Sequence, residues 1–358
     1  MINKNLNDEN LSEVSKSLLT FLNKSFLSRF INSDLDITDI SFNGKDLYIF
    51  DNFNGRYRVD GLNLSTSEVL NFTRQIANLL GKNFNHMNPI LDVSFDRYRL
   101  SAVYTSIAKS KNQPVITFSL RIRYEKLRIK ENDTKVCKKE VFRLLNRFIK
   151  SHLSILISGP TGSGKTELQK YLVSLIDQDE KIILIEDSYE TCLKELFPNH
   201  DITTWITSNT IGISDLVKVA LRNQPDWLIV AETRGEEVIE MIESVSTGHP
   251  LITTLHASDP FTVFDRIYNM GKSKIKLSRT ELHSILADYF SIIIQTKRVK
   301  VNGSFQRTIT EIVEVYKDNN EIKFNLIYQN NQNEYMFKDL SLNLANKLNI
   351  NPRWYKEA

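Results

Sequence analysis

Residues 159–166 read GPTGSGKT, which fits the G-x-x-x-x-G-K-[ST] spacing of a phosphate-binding loop. Glycines let the backbone curl until successive N–H groups point at phosphate oxygens. The helix that starts here adds the positive end of its dipole. The Lys165 ammonium suits the β- and γ-phosphates, and the Thr166 hydroxyl suits Mg2+. The expected nucleotide-binding set is Gly159, Pro160, Thr161, Gly162, Ser163, Gly164, Lys165 and Thr166, with Glu167 adjoining. LSILIS before the loop reads as a strand and TELQKYLVSLI after it as a helix, the context that the motif requires. The expected ligands are a nucleoside triphosphate and Mg2+.

Two further stretches can bring carboxylates to the same place. WLIVAETRG runs through apolar residues into Glu232, and ILIEDSYE into Glu186 and Asp187. In open α/β sheets, ligands sit at the carboxyl ends of the strands. Glu232 is expected to orient or deprotonate the attacking water, or to act through Mg2+. Successive strand residues face opposite ways, so one of Glu186 and Asp187 would serve metal or water. Glu186 is carried as the site residue.

Residues 246–260 read STGHPLITTLHASDP and hold His249 and His256. Seven residues of extended chain span more than about 20 Å, too far for one metal ion, and no cysteine or carboxylate stands at ligand spacing. No nucleophile elbow accompanies them either. His256 ends the strand LITTLH on the crevice side. It is expected to be a sensor that bonds phosphate or Glu232 and changes partner on hydrolysis. His249 lies at the far end and is expected to shape a turn with Thr247 and Gly248.

These side chains need a scaffold. Near-continuous apolar strands such as LSILIS, KIILIE, DWLIVAE and PLITTLH alternate with helical segments. That is the mark of a parallel sheet covered on both faces. The fold class expected is α/β: a domain over residues 138–358 with a parallel-rich sheet, a closing hairpin from RTITEIVEVY and KFNLIYQ, and a short helical tail. Residues 1–124 read as an α+β domain. Leu11, Val14, Leu18, Leu22 and Phe26 mark one helical face over residues 11–30, and Ser65 with Glu68 caps a second helix closed by Gly81. Three strand-like pieces follow, and residues 125–137 read as a polar linker.

At 358 residues, two domains are expected. The net charge of +3 does not advertise a nucleic-acid surface. Cys137 and Cys192 form no disulfide framework. The N-terminus shows no signal-peptide pattern and no apolar run has membrane-spanning length, so a cytoplasmic protein is expected.

Four blocks, in this order, resemble the secretion ATPases of type II and type IV systems: GPTGSGKT, IEDSYE, ALRNQPDWLIVAETRG and TGHPLITTLH. The first half resembles that superfamily through DVSFDRYRLSAV and FSLRIR. The resemblance implies a RecA-like ATPase domain, a homohexameric ring, and ATP as the nucleotide, bound between the two domains. It also implies N-terminal arginines that reach the phosphates: Arg99 and Arg121, with Arg97 and Arg123 as near alternatives. Implied partners are inner-membrane components of a secretion, conjugation or pilus machine, at the cytoplasmic face of the membrane and without direct nucleic-acid binding. The alternative is a RecA-like nucleic-acid motor, a helicase or packaging ATPase. Ala231 stands where relatives often have Gly, Glu167 where many have a small residue, and no tetracysteine element is present. Branch and cargo stay open.

Overall fold

The computed structural model describes residues 5–33, 35–123, 126–208, 210–233, 237–272, 276–301, 303–331 and 334–356. Tyr124 and Glu125 at the expected linker boundary, and Arg234 and Gly235 of the Glu232 block, lie outside these residues. The chain divides into two compact units. One holds Met1–Tyr124 with Lys300–Phe305, the other Glu125–Val299 with Gln306–Ala358.

The first unit opens with α1 (Asn5–Lys24) and α2 (Ser28–Ile31). The single helix expected over residues 11–30 is interrupted between Lys24 and Ser28, where Ser25 Oγ donates to Leu22 O at 2.7 Å. Leu18 and Leu22 are fully buried, while the side chain of Leu11 lies outside those described. There follow β1 (Ile37–Phe42), β2 (Leu47–Asp51), β3 (Gly55–Arg58), α3 (Thr66–Leu79), β4 (Ile90–Phe95) and β5 (Tyr98–Val103). Next come the two-residue pair β6 (Lys109–Ser110) and β7 (Gln113–Pro114), and then β8 (Thr117–Ile122). The six-stranded sheet runs β3-β2-β1-β8-β5-β4 and every pairing in it is antiparallel. Ser65 and Glu68 form the capping box of α3. Alternate residues of the strands turn inward, so Leu91, Val93, Leu100, Phe118 and Leu120 join Val69, Phe72 and Ile76 of α3 in one core.

The second unit begins with α4 (Lys139–Lys150), β9 (Ser154–Ser158), α5 (Lys165–Val173), β10 (Ile182–Glu186), α6 (Leu193–Leu196), β11 (Ile202–Ile206), α7 (Ile213–Arg222) and β12 (Trp227–Val230). It continues through α8 (Val238–Ser246), β13 (Leu251–Leu255), α9 (Val263–Gly271), α10 (Arg279–Tyr289) and β14 (Phe290–Val301). It closes with β15 (Ser304–Asp318), β16 (Glu321–Asn331), β17 (Glu334–Phe337) and α11 (Leu342–Leu348), the last two residues of β14 and the first two of β15 counting with the first unit. Its sheet has nine strands in the order β11-β10-β12-β13-β9-β14-β15-β16-β17. The pairings β11·β10, β10·β12, β12·β13, β13·β9 and β9·β14 are parallel; β15·β16 and β16·β17 are antiparallel.

The apolar runs explain this layout. Every residue of β9, β10, β12 and β13 is buried. The period of two then divides each strand between two cores. Ile155, Ile157, Ile182, Leu184 and Ile229 face α4 and α5; Leu156, Ile183, Ile185, Leu228 and Val230 face α7, α9 and α10. A strand covered on both faces has no polar side to show, hence the continuous hydrophobic stretches. Trp227 is fully buried, at the start of β12.

Candidate functional site

The carboxyl ends of β9, β10, β12 and β13 lie side by side. Ser158 pairs with Leu255, and Val230 with both Ile185 and Thr253. The glycine-rich turn springs from β9. At Gly159, with φ +154°, an added Cβ would stand 2.4 Å from Thr296 O and 2.6 Å from Ser163 Oγ. No side chain fits there. At Gly164, φ is +99°, in the left-handed region, and α5 starts with the next residue.

Lys165 is buried, and its Nζ bonds to Gly159 O at 3.0 Å and Pro160 O at 3.3 Å. It also stands 3.2 Å from His256 Nδ1. The other ring nitrogen, Nε2, lies 2.6 Å from Glu232 Oε1. The turn, the end of β12 and the end of β13 therefore meet through one contiguous line, Lys165–His256–Glu232. An ammonium on Nδ1 requires a lone pair there, so the arrangement assigns the ring proton to Nε2, facing the carboxylate.

Hydroxyl groups of β13 hold the segment that carries Glu232. Thr254 Oγ1 donates to Ala231 O at 2.9 Å, Thr233 N to Thr254 O at 2.7 Å, and the Oγ1 atoms of Thr233 and Thr253 are 2.7 Å apart. From the other side, Gln169 Nε2 on α5 donates to Val230 O at 3.0 Å. The carbonyls of the two residues before Glu232 and the N–H and hydroxyl of the residue after it are thus fixed, which limits where its carboxylate can go.

The structure places the other expected residues as follows. Thr166 is exposed at the start of α5, and Glu167 pairs with the buried Lys170 at 3.2 Å. Glu186 is buried at the end of β10; its Oε1 accepts from Thr191 N at 2.9 Å and Glu190 N at 3.3 Å. Its Oε2 is buried with no hydrogen-bond partner. Burial pushes this carboxyl above the ordinary glutamate range, against the opposing pull of those two N–H groups. Asp187 is exposed, within 3.4 Å of Thr207 Oγ1. His249 stands 3.0 Å from Thr247 Oγ1, beside Gly248 at φ +92°. Burial pushes the Cys137 thiol well up. Among the described residues no three His, Cys, Asp or Glu side chains converge on one metal position.

Arg99 and Arg121 belong to the first unit, where they are cross-strand neighbours on β5 and β8. Arg99 makes a forked pair with Asp92, Nε–Oδ1 3.2 Å and Nη2–Oδ2 3.1 Å, and Arg121 Nε lies 3.2 Å from Asp39 Oδ1. Arg97 Nε bonds to Tyr98 Oη at 3.1 Å, and the Arg123 guanidinium bonds to Asp96 O.

Sequence reasoning missed three participants. Gln169 lies in an ordinary helical pattern. Thr296 on β14 bonds to Ser163 Oγ at 2.8 Å and to Ser158 O at 3.2 Å. Arg307 on β15 donates from Nε to Gly162 O at 3.0 Å. The last two lie 133 and 145 residues beyond their partners, and no local pattern marks them.

Comparison with known proteins adds the following. The family described as type II/IV secretion system protein matches residues 110–318. A Bacillus anthracis protein described as uncharacterised is 32% identical over 333 residues, covering 90% of this chain and 75% of that protein. The type IV secretion system protein VirB11 of Bartonella henselae is 34% identical over 189 residues, about half of each chain at 51%. Among solved structures, the pilus retraction motor PilT with bound ADP superposes with a TM-score of 0.58 at 20% identity, covering 86% of this chain and 84% of that one.

Proposed function

The chain belongs to the type II/IV secretion system protein family, and from that premise we propose that it is an ATPase with a RecA-like second unit that binds ATP on residues 159–166 and cleaves it to ADP and phosphate. The observation that carries this reading is the line Lys165–His256–Glu232, which joins a phosphate-binding turn to a carboxylate. In the reaction, the oxygen of water bonds to the γ-phosphorus, the bond to the β,γ-bridging oxygen breaks, and the water proton passes to Glu232. Lys165 exchanges its carbonyl partners for phosphate oxygens. His256 then keeps Glu232 in place and reports whether Lys165 is engaged.

The donors suit a hard cation. Thr166 offers an exposed hydroxyl, and the buried, unpartnered Oε2 of Glu186 fits a metal-bound water. Thr166, Glu232 and Glu186 are the residues that would hold Mg2+, which when bound neutralises charge between the β- and γ-phosphoryl groups. Arg99 and Arg121 would add positive charge. Their ion pairs are about 39% and 54% exposed on the arginine side, and such surface pairs are worth roughly 0–1 kcal/mol, so exchange for phosphate is cheap.

The larger reading is a homohexameric motor at the cytoplasmic face of a membrane-spanning secretion, conjugation or pilus machine, with inner-membrane components of that machine as partners. It rests on family membership. The described residues contain no helix long and apolar enough to cross a membrane. The test is phosphate release from ATP by the purified chain alone, with single-stranded DNA, and with membrane lipid vesicles, with Lys165→Ala as control. Hydrolysis that disappears in the control supports the reading. Strong stimulation by DNA together with strand unwinding would transfer it to the nucleic-acid motors.

A further inference from the structure

We propose that Arg307 is a positioning residue of the nucleotide site, holding the peptide between Gly162 and Ser163 in the orientation that phosphate binding requires; the inference rests on the ATP-binding reading above. Arg307 Nε donates to Gly162 O at 3.0 Å. In a trans peptide the carbonyl and the following N–H point in opposite directions. Holding Gly162 O outward therefore turns Ser163 N–H into the loop, where Pro160 O accepts it at 3.2 Å. A phosphate oxygen would compete for that same N–H.

The side chain is seated as well as bonded. Its Cδ and Cβ stand 3.1 and 3.2 Å from where a Cβ on Gly164 would be. A side chain at residue 164 would crowd the stem of Arg307, which lies close against the turn there. Thr296 braces Ser163 from the neighbouring strand at 2.8 Å. Three successive residues of the turn, 162, 163 and 164, are thus gripped from outside by β14 and β15, and the grip at residue 162 is cationic. A positive charge there also favours the polyanion that the turn would receive.

The experiment measures affinity for ATP and ADP with a fluorescent nucleotide, and KM and kcat, in the full chain carrying Arg307→Ala, Arg307→Lys or Arg307→Gln. We expect Arg307→Ala to weaken both nucleotides about fivefold, which is about 1 kcal/mol at 1.4 kcal/mol per tenfold, and to raise KM by the same factor with kcat within about twofold. Arg307→Lys, which keeps a charged donor, recovers most of that loss. Should Arg307→Ala fail to fold, Arg307→Gln carries the same expectation, since it keeps part of the stem without the charge. Unchanged affinity in a folded neutral variant would overturn the proposal, as would a fall in kcat with KM unaltered, the sign of a merely structural role. Failure of the wild-type chain to bind nucleotide would instead remove the ATP-binding reading on which the proposal stands.

Discussion

His256→Ala perturbs the site at its centre. The substitution removes the acceptor 3.2 Å from Lys165 Nζ and the ring nitrogen 2.6 Å from Glu232 Oε1. A hydrogen bond to a charged group is worth about 1.5–3 kcal/mol. The His256 side chain is 40% exposed, so screening by water reduces each contact to roughly 1 kcal/mol. Losing both costs about 2 kcal/mol, which slows the chemical step about thirtyfold at 1.36 kcal/mol per tenfold. Affinity for ATP changes little, because the backbone N–H groups and Lys165 remain. The assay is release of inorganic phosphate at saturating ATP, with nucleotide affinity measured separately. His256→Gln, which supplies one polar contact in place of two, falls between. Because His256 acts through Glu232, adding His256→Ala to Glu232→Gln should cost little more than Glu232→Gln alone. A kcat within twofold of wild type, or additive losses in the double variant, would refute the coupling of the two side chains.

Glu186→Gln tests the cost of burying that carboxylate. Its folded-state pKa is raised, so the folded chain holds this proton to a higher pH than the unfolded chain. The ionised group thus lowers stability at neutral and alkaline pH, and the penalty lifts as pH falls through the folded value towards the unfolded one near about 4.3. The variant should melt above wild type at pH 8, with a gap that closes on acidification; a gap that is constant or reversed speaks against it. Cys137 is buried and its thiol is pushed well up, so it should react with a thiol reagent only when the protein unfolds, whereas the half-buried Cys192 reacts sooner. Mass mapping of the labelled peptides decides this, and early labelling of Cys137 in folded protein would be the contrary result.

What was legible in the sequence was legible for physical reasons. A strand covered on both faces must be apolar throughout, so β9, β10, β12 and β13 announced themselves. The helix α3 was visible because its capping box is local. The strand β11 carries no such mark: it is the edge strand, and only Ile202 of its ITTWI is buried. The helices α9 and α10 are absent from the sequence reading, although α10 carries the same local signal as α3, a Ser278–Glu281 capping box. They are joined by Asp265 gripping Arg279 at 2.6 Å and His283 at 3.0 Å, a link that spacing alone does not reveal. In the site, motif spacing placed Lys165, Glu232 and His256 at neighbouring strand ends. It did not show that His256 stands between the other two, because that depends on the register of β13 against β9 and β12. Nor did it show Glu186 Oε1 turned onto the loop that follows β10. Arg307 was invisible for the same reason, since its neighbour in space is Gly162 and its neighbours in sequence form an ordinary strand.

The most direct test of the account is a single-turnover experiment with ATP labelled at the γ-phosphate, comparing wild type with Glu232→Gln. The account predicts that wild type releases labelled phosphate. It predicts that Glu232→Gln binds ATP with comparable affinity, keeps it uncleaved, and yields phosphate at least about a hundredfold more slowly, the contribution ordinarily made by a general base. Cleavage at the wild-type rate by Glu232→Gln would contradict it.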